Sequence, residues 1–373
     1  MWMKKLVTLS KDPLIKVSSR MTPFLEPEYI YLPIDEEIRQ NIEYKKIKKG
    51  DFLYSWQEKS WYSPVSGKII GFLKNSQGLF LKIKNDYREE DSYNGVKEFT
   101  TMSIRINFQN QIKEDSNFDW QKFDKKKTLI LNGMEDEPYA ATRTFINKMK
   151  SQEILEMLDL LRETFQMNEV LIYIKENDRE SIESFSKYLG TYPKISLQIL
   201  PDYYPIGNEK ILKNYLKLTE ESLIMKSEEV YDLYLKMIRD RKKDTTFLTI
   251  TGNAIENPQV FEVKIGTSLK EIVKEFIHFK TNEYAFYING LMHRETAVLE
   301  DVILTPKIRV LYFMKPLHYK TKPCIHCGKC NDICPLKCNP YLAVNKKETS
   351  NNCIHCGLCT FICPSYIDIE KFL

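Results

Sequence analysis

No cysteine occurs before Cys324 in this chain of 373 residues, and all nine then fall between Cys324 and Cys363. Cysteines gathered into one short stretch argue against a disulfide framework and for a reducing compartment. Long apolar runs are missing as well. No stretch approaches the 18 or so consecutive apolar residues that cross a bilayer. Near the start, Lys4 and Lys5 are soon followed by Lys11 and Asp12, which leaves the apolar run too short for a secretory leader. Strong charge of either sign is lacking: a net charge of +4 gives no argument for a nucleic-acid partner. Glycine is scarce, and the stretch 86–127 contains only Gly95, so no glycine-rich phosphate cradle can lie there. What remains is an ordinary globular composition, 43 % hydrophobic and 28 % charged, with room for roughly two to four compact units. The expectation is a soluble, cytoplasmic protein.

The cysteines form two copies of one pattern. The first is Cys324-Ile-His-Cys327-Gly-Lys-Cys330-Asn-Asp-Ile-Cys334-Pro335, and the second is Cys353-Ile-His-Cys356-Gly-Leu-Cys359-Thr-Phe-Ile-Cys363-Pro364. Each reads C-x2-C-x2-C-x3-C-P, the bacterial ferredoxin spacing for [4Fe–4S] ligation, in which the cysteine before the proline crosses to the other cluster. The spacing therefore assigns Cys324, Cys327, Cys330 and Cys363 to one cluster, and Cys334, Cys353, Cys356 and Cys359 to a second. Gly328 and Gly357 would let the loop backbone approach sulfur. Pro335 and Pro364 fix φ and remove a donor just after the crossing ligand. Zinc is the competing reading of paired C-x2-C runs, but four ligands per zinc leave the third cysteine of each run without a role. With four thiolates per cluster already in hand, His326 and His355 read as solvent-side neighbours of the ligands. Cys338, the ninth cysteine, reads as a buried, inert thiol.

Residues 1–24 read as an irregular arm punctuated by Pro13 and Pro23, leading into short strands at 29–32, 65–72 and 79–83 with a turn at Asn75-Ser76-Gln77-Gly78. This layout over 1–85 resembles the barrel-sandwich fold of lipoyl carriers. Lys59 is too few residues from Pro64 to be a carrier lysine and reads as a solvated loop residue. Residues 86–127 read as a variable linker, with an alternating edge strand at 103–108. Strands at 128–132, 169–174 and 196–200 alternate with helices over 128–217, which predicts a parallel α/β unit. One helix shows Ile154, Leu155, Leu158, Leu161 and Phe165 on a single face, and Asp178 is placed to cap the next. Residues 218–244 read as a connector helix. Hairpin, helix and strands over 245–318 follow a β-grasp order, with Ser268 and Glu271 spaced as a capping box. Residues 319–373 hold the cysteine runs. The expected fold class is multidomain α+β.

Three motifs in this order carry a family resemblance: Leu131-Asn132-Gly133-Met134-Glu135-Asp136-Glu137-Pro138-Tyr139, then Tyr204-Pro205-Ile206-Gly207-Asn208-Glu209-Lys210, then the paired cysteine runs. Together they resemble the C-subunit family of the Rnf electron-transport complex. That family is related to the A subunit of the sodium-pumping NADH:quinone reductase and to the NADH-binding subunit of complex I. The resemblance implies a barrel-sandwich unit, an α/β domain like the complex I flavin subunit, a soluble-ligand-binding (SLBB) β-grasp domain and a ferredoxin-type domain with two [4Fe–4S] clusters. It also implies FMN and NADH close to Glu135, Asp136, Glu137, Gly207, Glu209 and Lys210, at the ligand edge of an α/β sheet. The chain departs from the family at one point. The glycine-rich loop that meets flavin and nicotinamide phosphates has no counterpart in 86–127. Without it, Glu135, Asp136 and Glu137 read as an acidic cluster at a helix N-terminus.

Iron–sulfur clusters exchange single electrons, nicotinamide exchanges a hydride, and a flavin converts between the two. The missing loop favours a relay over a flavin-dependent input module. The expected function is an electron-transfer subunit of a membrane-associated Rnf-type oxidoreductase, peripheral on the cytoplasmic face. Its expected partners are integral-membrane subunits and a protein donor or acceptor such as ferredoxin. An NADH/FMN-dependent input module, a cobalamin reductase of a microcompartment and a structural docking subunit are the alternatives.

Overall fold

The computed structural model describes residues 20–57, 59–88, 106, 108, 119–239, 241–291, 302–316, 320–348 and 351–373. The chain is a mixed α/β, multidomain protein built on three main sheets and a cysteine-bearing C-terminal segment.

The first sheet begins with an alternating strand. In β2 (Tyr29–Ile34) every second residue, Ile30, Leu32 and Ile34, is buried, the period of a half-buried strand. It pairs antiparallel with β7 (Gly78–Asn85) in a sheet of order β2-β7-β6-β3, where β6 is Gly67–Asn75 and β3 is Lys46–Ile47. The β6–β7 hairpin closes at Asn75 opposite Gly78, as the turn residues predict. A separate hairpin pairs β4 (Phe52–Trp56) with β5 (Lys59–Tyr62), so the backbone of Lys59 begins a strand and is not in a loop.

The arm read as irregular ends in a strand. β1 (Met21–Phe24) pairs parallel with β13 (Gln259–Lys264), so it belongs to the sheet formed far along the chain. That sheet has the order β1-β13-β12-β15-β14, with β12 at Thr245–Thr251, β14 at Ala285–Ile288 and β15 at Val310–Met314. A helix (Leu269–Phe276) covers it through Leu269, Ile272 and Val273. The capping box does not form. Ser268 makes no side-chain cap, and the Glu271 carboxylate accepts from the Glu28 N–H at 2.9 Å, tying this unit to the first sheet. At Gly266, φ is +91° and a Cβ would meet the Tyr31 carbonyl oxygen at 2.6 Å, so only glycine lets the two sheets approach here.

Between these sheets lies the α/β unit. Its strands β8 (Thr128–Asn132), β9 (Glu169–Lys175), β10 (Ile195–Leu200) and β11 (Ser222–Lys226) are all parallel, in the order β10-β9-β8-β11. Leu129, Ile130 and Leu131 are all fully buried. Leu129 and Leu131 face one core and Ile130 the opposite one, which explains an unbroken apolar run in a sheet covered on both faces. The helices Thr142–Thr164 and Arg179–Leu189 pack on the first face. The helix Glu209–Leu216 packs on the second through Leu212. Asp178 does cap its helix, accepting from the Ser181 N–H at 3.1 Å.

Two boundaries read from the sequence move. The segment read as a connector holds β11 and the helix Ser227–Met237, whose Val230, Leu233, Tyr234 and Met237 lie in the core beside β8. A strand of five residues inside a charged stretch is too short a pattern to separate from the helix that follows it. The linker also ends inside this core. Phe108 and Phe123 are buried in it, and Phe123 stacks on Phe165 at 4.5 Å. Of the edge strand expected at 103–108, Ile106 and Phe108 are helical and the other positions lie outside the described residues.

Among the described residues no helix is long and apolar enough to cross a membrane. Leu233→Ala is expected to destabilise the α/β unit by about 2–5 kcal/mol, the cost of a cavity at a buried leucine. Faster hydrogen exchange at β8 would register it; a helix serving only as a connector would leave that exchange unchanged.

Candidate functional site

The two cysteine runs fold alike. In each, a glycine in the left-handed region, Gly328 at φ 73° and Gly357 at φ 72°, turns the chain into a five-residue helix, Lys329–Ile333 or Leu358–Ile362. The histidine two residues before each glycine is also left-handed, His326 at φ 54° and His355 at φ 50°. These turns aim backbone N–H groups at sulfur: His326 N–H reaches Cys324 Sγ at 3.4 Å, and His355 N–H reaches Cys353 Sγ at 3.3 Å.

The result is two cavities. Cys324, Cys327, Cys330 and Cys363 line one, and Cys334, Cys353, Cys356 and Cys359 line the other. Each quartet combines three thiols of one run with the fourth thiol of the other. Among the described residues no three His, Cys, Asp or Glu side chains are placed to hold one metal ion. Each cavity offers four cysteine thiols, the ligand count of one [4Fe–4S] cluster. Soft sulfur donors with an apolar lining, Ile325, Val344 and Ile367 in one cavity and Leu336 and Leu358 in the other, fit an iron–sulfur cluster. Burial pushes the Cys356 thiol up to about 12 and raises Cys359 too.

The histidines have polar partners beside the cavities, and His355 and Glu370 line the second. His326 Nδ1 lies 2.9 Å from Tyr341 Oη, and His355 Nδ1 lies 3.3 Å from Glu370 Oε1. Cys338 is buried, as read from the sequence, but it lines the second cavity.

The quartets differ in their surroundings. The second is held against the α/β unit. Tyr204 Oη donates to the Cys356 carbonyl at 2.8 Å, and its ring packs on Leu358. Lys210 Nζ donates to the Asn352 carbonyl at 3.0 Å. The first quartet faces outward: Cys327 is exposed and Ile325 is 64 % exposed.

The acidic motif lies at the C-terminal end of β8. The strand order reverses between β8 and β11, and the crevice there is the usual ligand edge of such a sheet. Here the crevice holds side chains of the protein. The Glu135 carboxylate accepts from the backbone N–H groups of Arg143 and Thr144, serving as an anion at a helix N-terminus. Asp136 pairs with Arg309 at 2.5 Å, Arg143 at 3.7 Å and Lys226 at 3.7 Å. Arg143, only 1 % exposed, bonds Glu228 through two nitrogens at 2.7 and 2.8 Å and donates to the Met134 carbonyl. Burial pushes Asp136 upward, but Arg143, Arg309 and Lys226 overcome it and hold its pKa at about 2. Burial also raises Glu135, against the pull of the same two arginines.

The second motif packs on the first. Asn132 Nδ2 donates to the Gly207 carbonyl at 2.8 Å, and a Cβ on Gly207 would collide with the Glu135 carbonyl oxygen. Glu209 pairs with Lys213 on an exposed helix face. Burial raises the Tyr312 and Tyr204 hydroxyls, and the Glu137 carboxylate nearby adds to both shifts. Four members of this site, Arg143, Arg309, Lys226 and Glu228, belong to none of the sequence motifs. Only Arg309 carried a local signal, a lone charge inside the apolar run before β15.

Residues 112–225 match the family model Complex1_51K, the Nuo51 FMN-binding domain. Curated relatives are more particular. The chain is 27 % identical over 231 residues to the C subunit of the Na(+)-translocating ferredoxin:NAD(+) oxidoreductase complex of Acetobacterium woodii, covering 58 % of this chain and 52 % of that protein. It is 26 % identical over 225 residues to the C subunit of the ion-translocating oxidoreductase complex of Pectobacterium atrosepticum, covering 56 % of this chain and 32 % of that one. The resemblance to the Rnf C-subunit family therefore holds beyond the three motifs. The matched part spans about half of the first relative and a third of the second. Among solved structures, an air-oxidized NAD+-reducing [NiFe]-hydrogenase aligns at a TM-score of 0.44 and 12 % identity, covering 57 % of this chain and 46 % of that one.

Arg143→Met is expected to cost about 3–5 kcal/mol at neutral pH, because it leaves Asp136 and Glu228 buried with one partner fewer. Adding Glu228→Gln should recover part of that loss. Urea unfolding of the two single variants and the double variant checks it, with non-additivity above about 0.5 kcal/mol expected for residues in contact.

Proposed function

We propose that this chain is an electron-transfer subunit of a membrane-associated Rnf-type oxidoreductase. In this reading Cys324, Cys327, Cys330 and Cys363 hold one [4Fe–4S] cluster, and Cys334, Cys353, Cys356 and Cys359 hold a second. The observation that carries it is the pair of cavities, each lined by one of these quartets. Such clusters supply single-electron exchange. The chain's own residues do the rest. Tyr204 and Lys210 fix the second quartet against the α/β unit, and the exposed Cys327 side of the first is the face that a protein partner such as ferredoxin reaches. The antiparallel N-terminal unit serves as the barrel-sandwich domain, the five-stranded sheet as the β-grasp SLBB domain, and 319–373 as the ferredoxin-type domain. Integral-membrane subunits are the partners that the named relatives suggest.

The relay is favoured over a flavin-dependent input module by the crevice beside β8. Its three acids, Glu135, Asp136 and Glu228, face three bases, Arg143, Arg309 and Lys226. A network of balanced charge offers no net positive charge to flavin or nicotinamide phosphates. The family match to an FMN-binding domain supports the other reading, an FMN site fed by NADH.

Anaerobic reconstitution with iron and sulfide separates these. Two clusters require about eight iron and eight sulfide atoms per chain. Dithionite should bleach the visible absorption and NADH alone should not. Zinc without acid-labile sulfide would overturn the cluster assignment, and bleaching by NADH with FMN in the purified protein would replace the relay with an input module.

A further inference from the structure

The two cysteine runs superpose residue for residue in sequence, and the likeness extends past the prolines. Four positions after Cys334 stands Cys338, and four positions after Cys363 stands Ile367. The residues just before them, Lys337 and Tyr366, share the same left-handed backbone at φ 55°. Each then turns its side chain into a cavity, Ile367 into the first and Cys338 into the second. Both are buried. One cavity thus receives methyl groups where the other receives a thiol.

Cys338 sits against the quartet. Its backbone N–H donates to Cys334 Sγ at 3.2 Å. Its side chain lines the same cavity as the Cys353 thiol. Four thiols already complete that quartet, so the fifth is left as a donor. An S–H is a weak donor, but a ligating thiolate is a charged acceptor, and charge-assisted bonds are the stronger kind. Reduction of a cluster adds negative charge to its sulfurs, and hydrogen bonds to those sulfurs set its potential.

We propose that Cys338 is a positioning residue that donates its S–H to Cys353 and its N–H to Cys334, raising the reduction potential of the cluster held by the second quartet. This rests on the two-cluster reading above. It makes the two clusters electronically unequal although their ligand runs match. Ile367 gives the first quartet no such donor.

The test uses the full chain reconstituted anaerobically, with Cys338→Ala and Cys338→Ser beside the unaltered protein. Iron and sulfide are counted, and both clusters are followed by electron paramagnetic resonance in a redox titration. The expected result is full iron content in all three, one cluster shifted to lower potential in Cys338→Ala, the other cluster unmoved, and the shift abolished in Cys338→Ser, whose hydroxyl donates in its place. Unchanged potentials in Cys338→Ala overturn the proposal, as does a serine variant that behaves like the alanine one. Loss of half the iron in Cys338→Ala makes Cys338 a ligand and overturns it too. Failure of the unaltered chain to hold two clusters sinks the underlying reading instead, and the iron count tells the two failures apart.

Discussion

The guanidinium of Arg143 is the point on which the middle of this protein turns. An ion so deeply buried is costly to desolvate, and only close partners with good geometry offset that cost. Arg143 has them: two bonds to Glu228, an ion pair with Asp136 and a bond to the Met134 carbonyl. These partners come from the ends of β8 and β11, so the network clamps the two strands at the place where the sheet order reverses. Arg309 extends it across to the five-stranded sheet, and Tyr312 Oη adds a 2.6 Å bond to the Pro138 carbonyl. The acidic motif therefore joins two units. Because Gly207 closes on the Glu135 carbonyl, the same motif also sets the loop that carries Tyr204 and the start of the helix that carries Lys210, which hold the second thiol quartet.

Much of the architecture was legible because its signals are local. Alternation in β2, unbroken apolar runs in β8 and β9, the Asp178 cap and the Asn75–Gly78 turn each follow from a few neighbouring residues. The cysteine quartets rest on a stronger sequence signal: a fixed spacing repeated twice implies a long-range pairing. The misreadings share a physical cause. β1 is a strand only because β13 lies beside it, and β11 only because β8 does. Glu271 leaves its expected capping partner for a backbone N–H more than two hundred residues away in sequence. Tertiary partners decided these, and no local pattern contains them. The ion network was illegible for the same reason, since Arg143, Glu228 and Arg309 are scattered along the chain.

The scarcity of glycine and the balance of that network are two sides of one fact. A phosphate cradle needs backbone N–H groups free to approach an anion, and a crevice that takes a dinucleotide needs vacancy at the strand ends. Here the N–H groups of Arg143 and Thr144 already face Glu135, and the charges around them cancel. A side-chain carboxylate occupies the helix N-terminus where a ligand anion would otherwise sit. Admitting a phosphate there would expel Glu135 and leave its carboxylate without those donors, and it would set a second negative charge beside Asp136. The sheet edge that the resemblance associates with flavin is thus a rigid seam, and what it holds in register is the loop bearing Tyr204. In the proposed relay rigidity suits that task, because electron exchange between centres depends on fixed distance, and a seam of buried ions and close backbone contacts has few alternative arrangements to drift into.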